Sequence, residues 1–307
     1  MKLKVIFMGL TLILGSNVHA KTINTRIFEL FDSHKEPKTF VESTADRMVY
    51  WIPNEQVELR KLLELAQNKG TPIRLKVTTD REIKGVTPLS TEDAEKYTDD
   101  LMKANASDAE LIEEHLEANS AQEYYPTVLS SYARAQSVFY SQSPLRPRSQ
   151  CYQRAHVWAH NLYVDQGLKT MKVFLFFTKK YIAEYNYKWW FHVSPFTYYK
   201  NDQGLGTEIV LDRTFTDSPL HMKEWTEEFM EPGMTCPTVD TYAEYASNQW
   251  SRYCYLRKVP MYYYQPLDVE ALDHQGRVLH GFISSQVDQA RRKNWARRRN
   301  WNRRRRR

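Results

Sequence analysis

Three residues of this chain have the type and spacing for thiol chemistry. Cys151 opens the stretch CYQRAHVWAHNLYVDQGL (151–168), in which Ala155, Trp158, Ala159, Leu162 and Tyr163 recur at helical spacing and Gly167 supplies a left-handed stop. The cysteine therefore falls in the first turn of a predicted helix, where unpaired N–H groups and the positive end of the helix dipole favour a thiolate. A lone cysteine is more usually a small buried hydrophobe, so a nucleophile needs a base beside it. His192 and Asp212 are the candidates. Trp189–Tyr198 (WWFHVSPFTY) and Thr207–Asp212 (TEIVLD) flank a turn rich in Gly, Asn and Asp, Lys200–Gly206, so they read as an antiparallel hairpin. Opposed residues of a hairpin have numbers with a constant sum. His192 and Asp212 share the sum 404, centred on residue 202 in the turn, which places them opposite one another on one face. Taken by itself, such a couple is also compatible with a buried hydrogen-bonded pair without chemistry.

The elements that must carry these residues lie in the second half of the chain. Lys172–Thr178 (KVFLFFT) is apolar throughout and reads as a central strand. Thr127–Tyr140 has helical spacing, and a Pro/Ser/Arg loop, Ser141–Gln150, leads into Cys151. This unit is taken as 121–290. Before it, 21–120 reads as a small α+β unit: a strand at Arg47–Ile52 ended by Pro53, a helix from Asn54 to Asn68 closed by Gly70, strands at Pro72–Thr78 and Ile83–Val86, and a helix at Ala94–Met102. No nucleophile, phosphate loop or metal spacing appears in it. The acidic, Ala/Ser-rich stretch Ala106–Gln122 is the expected linker, helical or loose.

A cysteine at a helix start, then a histidine and an aspartate on successive strands, is the chain order of transglutaminase-like thiol enzymes. Cys151-Tyr152-Gln153-Arg154-Ala155-His156 resembles the nucleophile motif of the bacterial protein glutaminases, which deamidate glutamine side chains within proteins and in which the Cys is followed by Tyr, Ala, Arg, Ala and His. Trp190-Phe191-His192-Val193 resembles that family's histidine segment, and Val210-Leu211-Asp212-Arg213-Thr214-Phe215 its aspartate segment. Trp225, Cys236 and Tyr242-Ala243 fall where similar residues occur, and Thr44-Ala45, the Leu62-Leu63 helix and PIRLKV follow the order of the family's pro-region. The similarity runs from about Thr44 to Leu272 and is dense only at the motifs. It implies an α+β fold: a papain/transglutaminase-like catalytic domain, with the cysteine helix packed on an antiparallel sheet bearing His and Asp, behind a small α+β pro-domain. It also implies a Cys151–His192–Asp212 triad that needs no cofactor and no metal, acts on glutamine in proteins or peptides, and is made as a zymogen. Trp189, Trp190 and Gln150 are the candidate substrate contacts, and Ala45 and Asp46 the pro-segment nearest the cleft.

The chain departs from the pattern in three places. It has three cysteines where family members often have more. Asp46 stands where the family can present a substrate-like Gln after Ala, and Arg148-Ser149-Gln150 precedes the nucleophile. The same triad would serve a transglutaminase or a cysteine peptidase, and a non-catalytic envelope-binding protein is the alternative from another class.

Residues 1–20 carry Lys2 and Lys4, an apolar run Val5–Leu14 and a small-x-small end at Val18-His19-Ala20, the pattern of an export signal. The mature protein is accordingly expected in the periplasm or the medium, with no transmembrane segment. In an oxidising compartment Cys236 and Cys254, in one loop-rich region, are the candidate disulfide pair, although spacing alone fixes no connectivity. His156 and His160 stand one helical turn apart, but no Glu lies between them and no third ligand announces itself. Finally, 291–307 holds ten Arg and one Lys with no acid, against a net charge of +6 for the whole chain, so the remaining body is acidic. A disordered tail is expected there, with an anionic surface or nucleic acid as its possible partner.

Overall fold

The computed structural model describes residues 21–44, 46–102, 116–118, 124–143, 145 and 149–304, with side chains except at 98–102, 116–118 and 295–304. Residues 1–20, where an export signal is expected, Ala45, most of the expected linker and the last three residues lie outside the described residues.

The N-terminal unit comprises β1 (Lys21–Thr25), β2 (Ile27–Asp32), β3 (Lys38–Ser43), β4 (Val49–Pro53), α1 (Val57–Lys69), β5 (Ile73–Val77), β6 (Ile83–Pro88) and α2 (Thr91–Met102). Two three-stranded sheets, β1-β5-β6 and β2-β3-β4, enclose a core of Ile23, Ile27, Val41, Tyr50, Ile52, Leu63, Leu75 and Ile83. Helix α1 starts later than Asn54 because the Asn54 side chain accepts a hydrogen bond from Thr39 instead of capping the helix, and Gln56 takes the cap position. It stops where expected, at Gly70, whose φ of 59° suits a residue without Cβ.

The second unit comprises β7 (Leu116–Ala118), β8 (Val128–Leu129), α3 (Tyr132–Ser141), α4 (Cys151–Gln166), β9 (Met171–Phe177), α5 (Lys179–Tyr185), β10 (Phe191–Lys200), β11 (Gly206–Val210), α6 (Met222–Glu227), β12 (Thr238–Val239), α7 (Tyr242–Ser247), β13 (Cys254–Pro260), α8 (Pro266–Gln275), β14 (Arg277–Leu279) and α9 (Ser284–Arg304). Its sheet has the order β11-β10-β9-β13-β12, with β8 added in parallel to β10. Strand β9 is central and covered on both faces, which is why its sequence is apolar without alternation. Helix α4 is buried almost all round its first turns: it lies on β10 and is crossed by α9. The amphipathic face read from the sequence understates this, and Tyr163, assigned to that face, is exposed.

Three boundaries shift. The described part of the expected linker, β7, is a strand paired with β14, not a helix or loose chain, so residues before 120 are tied to residues after 276. The two units share a core, because Phe31, Phe40 and Val49 pack into the cluster that contains Cys151 and β9. The basic tail is helical through Arg304, not disordered. Its first turns bury Val287 and Ala290 against the body, and a docked turn removes the nucleation cost that keeps an isolated basic segment unfolded.

Candidate active site

Cys151 is the first residue of α4, and Gln150 before it is extended, with its N–H bonded to the side chain of Gln153. His192 is the second residue of β10 and pairs with Leu175 of β9. Asp212 is not its ladder partner. The β10–β11 hairpin pairs Phe196 with Val210, a register two residues away from the one expected, and β11 ends at Val210. Asp212 instead begins a tight turn in which Phe215 and Thr216 bond back to its carbonyl. From this turn Asp212 still meets the imidazole: His192 Nε2 and Asp212 Oδ2 are 2.6 Å apart.

Cys151, His192 and Asp212 are each 1% exposed, so their interactions are made in a dry site. Asp212 Oδ2 also accepts the Trp225 indole N–H at 3.1 Å, and Oδ1 the Thr214 N–H. Burial opposes its ionisation, but the charge of and hydrogen bond from His192, then Trp225 and Arg154, hold its carboxyl below the usual range. Asp212, an acceptor at Nε2, favours a proton on that nitrogen, and the Cys151 thiol is hydrogen-bonded to the same imidazole. Burial likewise pushes the Cys151 thiol up. The hydrogen bond to His192 and the positive charges of Arg47, His192 and Arg154 outweigh burial and bring it down to about 7. Phe229, Phe215 and Trp225 wall the imidazole.

Arg47 belongs to the N-terminal unit. Its Nη1 lies 3.3 Å from His192 Nδ1, and its guanidinium stacks 3.7 Å above the ring centre of Trp189. The chain around it runs antiparallel beside the entrance to β10: Val49 N–H donates to Lys188 O, Trp190 N–H to Arg47 O, and the Trp190 indole N–H to Asp46 O. Arg47 was missed in the sequence, where Ala45 and Asp46 were favoured. Ala45 lies outside the described residues. The Asp46 carboxylate turns back on its own segment, accepting from Met48 N–H and Tyr50 OH.

Trp189 stands at the site, stacked near the imidazole. Trp190 stacks against Phe28 and Phe176. Arg154 is buried; its Nη1 donates to the Ser149 carbonyl, and burial brings its pKa down to about 10. Its place in the quoted motif was the one signal that could have found it. Cys236 and Cys254 are joined by a disulfide, and Cys151 is the free thiol. His156 and His160 each face a cation through Nδ1, respectively Lys172 at 2.7 Å and Arg291 at 3.2 Å. Among the described residues no group of three or more His, Cys, Asp or Glu is placed to hold a metal.

Residues 129–229, which include all three candidate residues, match a family model described as glutaminase. That segment is of the glutaminase family. No curated protein matches the chain. Among solved structures, the crystal structure of pro-protein-glutaminase aligns with a TM-score of 0.50 at 15% identity, over 85% of this chain and 88% of that one. A mutant of pro-protein-glutaminase aligns at 0.49 and 16% identity, over 80% and 84%. The NMR structure of protein-glutaminase from Chryseobacterium proteolyticum aligns at 0.32 and 18%, over 46% and 78%. The likeness to the first is one of fold: mixed α+β, with several sheets. The glutaminase-family segment thus supplies β10, α4 and the Asp212 turn, while Arg47 comes from outside it.

Proposed function

We propose that this chain is an exported cysteine-dependent protein glutaminase, with a transglutaminase-like catalytic unit, made as a zymogen whose N-terminal unit closes the site. The observation that supports the reading is that Cys151 and Asp212 both hydrogen-bond the His192 imidazole, the aspartate at Nε2, inside a segment that matches the glutaminase family model. The Cys151 thiolate attacks the side-chain carboxamide carbon of a protein-bound glutamine. N–H groups of the first turn of α4, unpaired within the helix, stabilise the oxyanion. His192 Nδ1 carries the proton to the departing ammonia, leaving a thioester. It then takes a proton from water as the hydroxyl oxygen attacks the thioester carbon, and the thiol is regenerated with glutamate. Asp212 positions the ring and favours its charged form.

Arg47 explains the closed state. A guanidinium donates and never accepts, so at Nδ1 it competes for the lone pair that the proton shuttle needs. The nitrogen that must shuttle the proton is thereby engaged, and the segment Asp46–Val49 covers it. Release of ammonia from casein, before and after cleavage between the two units, tests the reading. Cleaved wild type should release ammonia, Cys151→Ala should not, and intact protein should be slow. Mass spectrometry of the casein separates the rival outcomes: deamidation leaves chain lengths unchanged, crosslinking joins chains and peptidase action shortens them. Equal ammonia from Cys151→Ala would remove the assignment.

A further inference from the structure

The C-terminal helix is not absorbed by the acyl chemistry. Its first turns are built into the body: Ile283, Gln286, Val287 and Ala290 are buried, and the Tyr264 hydroxyl donates to the Gln289 side chain. Arg291 donates to His160 and Asn161 of α4. Beyond this point the helix continues without a break to Arg304. At 1.5 Å per residue, the part from Arg291 on is about 20 Å long. A free tether would be flexible; this one is continuous with a docked helix that crosses the helix bearing Cys151.

The sequence of that arm has two properties. Its cations come in runs, 291–293, 297–299 and 303–307, and three consecutive helical residues spread over more than half the circumference. At helical spacing this sequence holds no apolar stripe with which to enter a bilayer core or pack on another helix. Trp295 and Trp301 lie between the runs, the residue type that settles at headgroup level. The second property is contrast: 37 acidic residues lie outside the arm and none within it. A negative surface therefore attracts the arm and repels the body.

We propose that this helix is a rigid arm that holds the protein, arm first, on an anionic lipid surface. The chemistry recognised is a dense plane of lipid phosphates. The Trp pair and the export pattern of residues 1–20 favour lipid over nucleic acid. Adhesion is electrostatic and weakens as salt shortens the Debye length below the height of the arm.

The test uses the full chain and vesicles of phosphatidylcholine alone or mixed equally with phosphatidylglycerol, followed by sedimentation at low and physiological salt. Wild type should sediment with the mixed vesicles only, and less as salt rises. Replacing Arg297, Arg298, Arg299, Arg303 and Arg304 together by Gln, which has similar helix propensity, should weaken binding by more than about tenfold. The same five changed to Lys should retain it, and circular dichroism checks that the helix persists in both. Equal binding to pure phosphatidylcholine, retention by the Gln variant or loss in the Lys variant would overturn the proposal. So would tighter binding to a single-stranded oligonucleotide than to the mixed vesicles.

Discussion

Arg47→Ala in the intact chain should unlock Cys151. Three features of the closed site set the magnitude. A charge-assisted hydrogen bond is worth about 1.5–3 kcal/mol, and a desolvated cation–π contact about 2 kcal/mol. Against these stands the cost of burying the charge of an arginine that is only 7% exposed. A net of about 2 kcal/mol is reasonable, or roughly a thirtyfold larger population of the open site if opening limits access. The backbone bonds from Val49 to Lys188 and from Trp190 to Arg47 do not depend on the side chain and should remain. A second effect has the opposite sign. Arg47 is one of the charges that bring the thiol down to about 7, so its loss raises the thiol toward the ordinary value near 8.5. At pH 7 the two effects partly cancel. At pH 9 most of the thiol is ionised either way, and access alone is read. The assay is iodoacetamide alkylation of Cys151 at pH 9, followed by intact mass, on wild type, Arg47→Ala and Arg47→Lys. The expectation is a rise of roughly thirtyfold for Ala and a smaller one for Lys, which keeps the charge but not the planar stack. Alkylation of Arg47→Ala at the wild-type rate, with separated catalytic unit reacting fast, would show that closure rests on the backbone cover and not on Arg47.

Other consequences can be read from the same geometry. Asp212→Asn, assayed on the separated catalytic unit, should lower kcat by about three to four orders of magnitude with little change in KM, because the imidazole loses the partner that fixes its tautomer; a loss below tenfold would contradict the role given to Asp212. Trp225→Phe removes one hydrogen bond to that carboxylate and should cost kcat about tenfold, with the fold retained. Glu42 lies buried in β3, and burial, with Glu29 adding to it, pushes its carboxyl from 4.5 up to about 8. Its neutral form is favoured in the fold, so the penalty is absent below pH 4.5, grows as pH rises and is complete above about 8. Glu42→Gln should therefore raise the melting temperature more at pH 8 than at pH 5; an equal gain at both would refute the linkage. Cys254→Ser opens a disulfide that spans 18 residues and should destabilise by about 3 kcal/mol in denaturant titration.

Where local pattern and tertiary demand agree, the fold is legible in the sequence. Gly167 ends α4 and Gly70 ends α1 because a left-handed stop is a local property of the backbone. The apolar run of β9 announced a central strand for the same kind of reason. The hairpin arithmetic found the pair but the wrong register, since Asp212 meets His192 from a turn beyond the end of β11. Strands β1–β3 were not read from the sequence. The β2–β3 pairing slips between Ile27 and Glu29, and such a bulge breaks the alternation that would have marked the strand. The helical tail was misread because a run of like charge signals a solvated segment, whereas the turns that hold α9 in place precede it.

Arg47 was beyond the reach of any such pattern. It meets His192 across 145 residues of sequence, and an arginine in an extended stretch ordinarily reads as a solvated strand edge. Lys172 and Arg154 pose the same problem. Lys172 is buried against His156 and the Tyr263 carbonyl, and Arg154 against the Ser149 carbonyl, each within a stretch whose composition gives no hint of a buried cation. The two arginines bear on the thiol. In the closed state Arg47, His192 and Arg154 together supply the positive charge that brings Cys151 down. On the proposed reading, the residue that covers the nucleophile is thus also one of the charges that lower its pKa, so its removal opens the site and raises the thiol together.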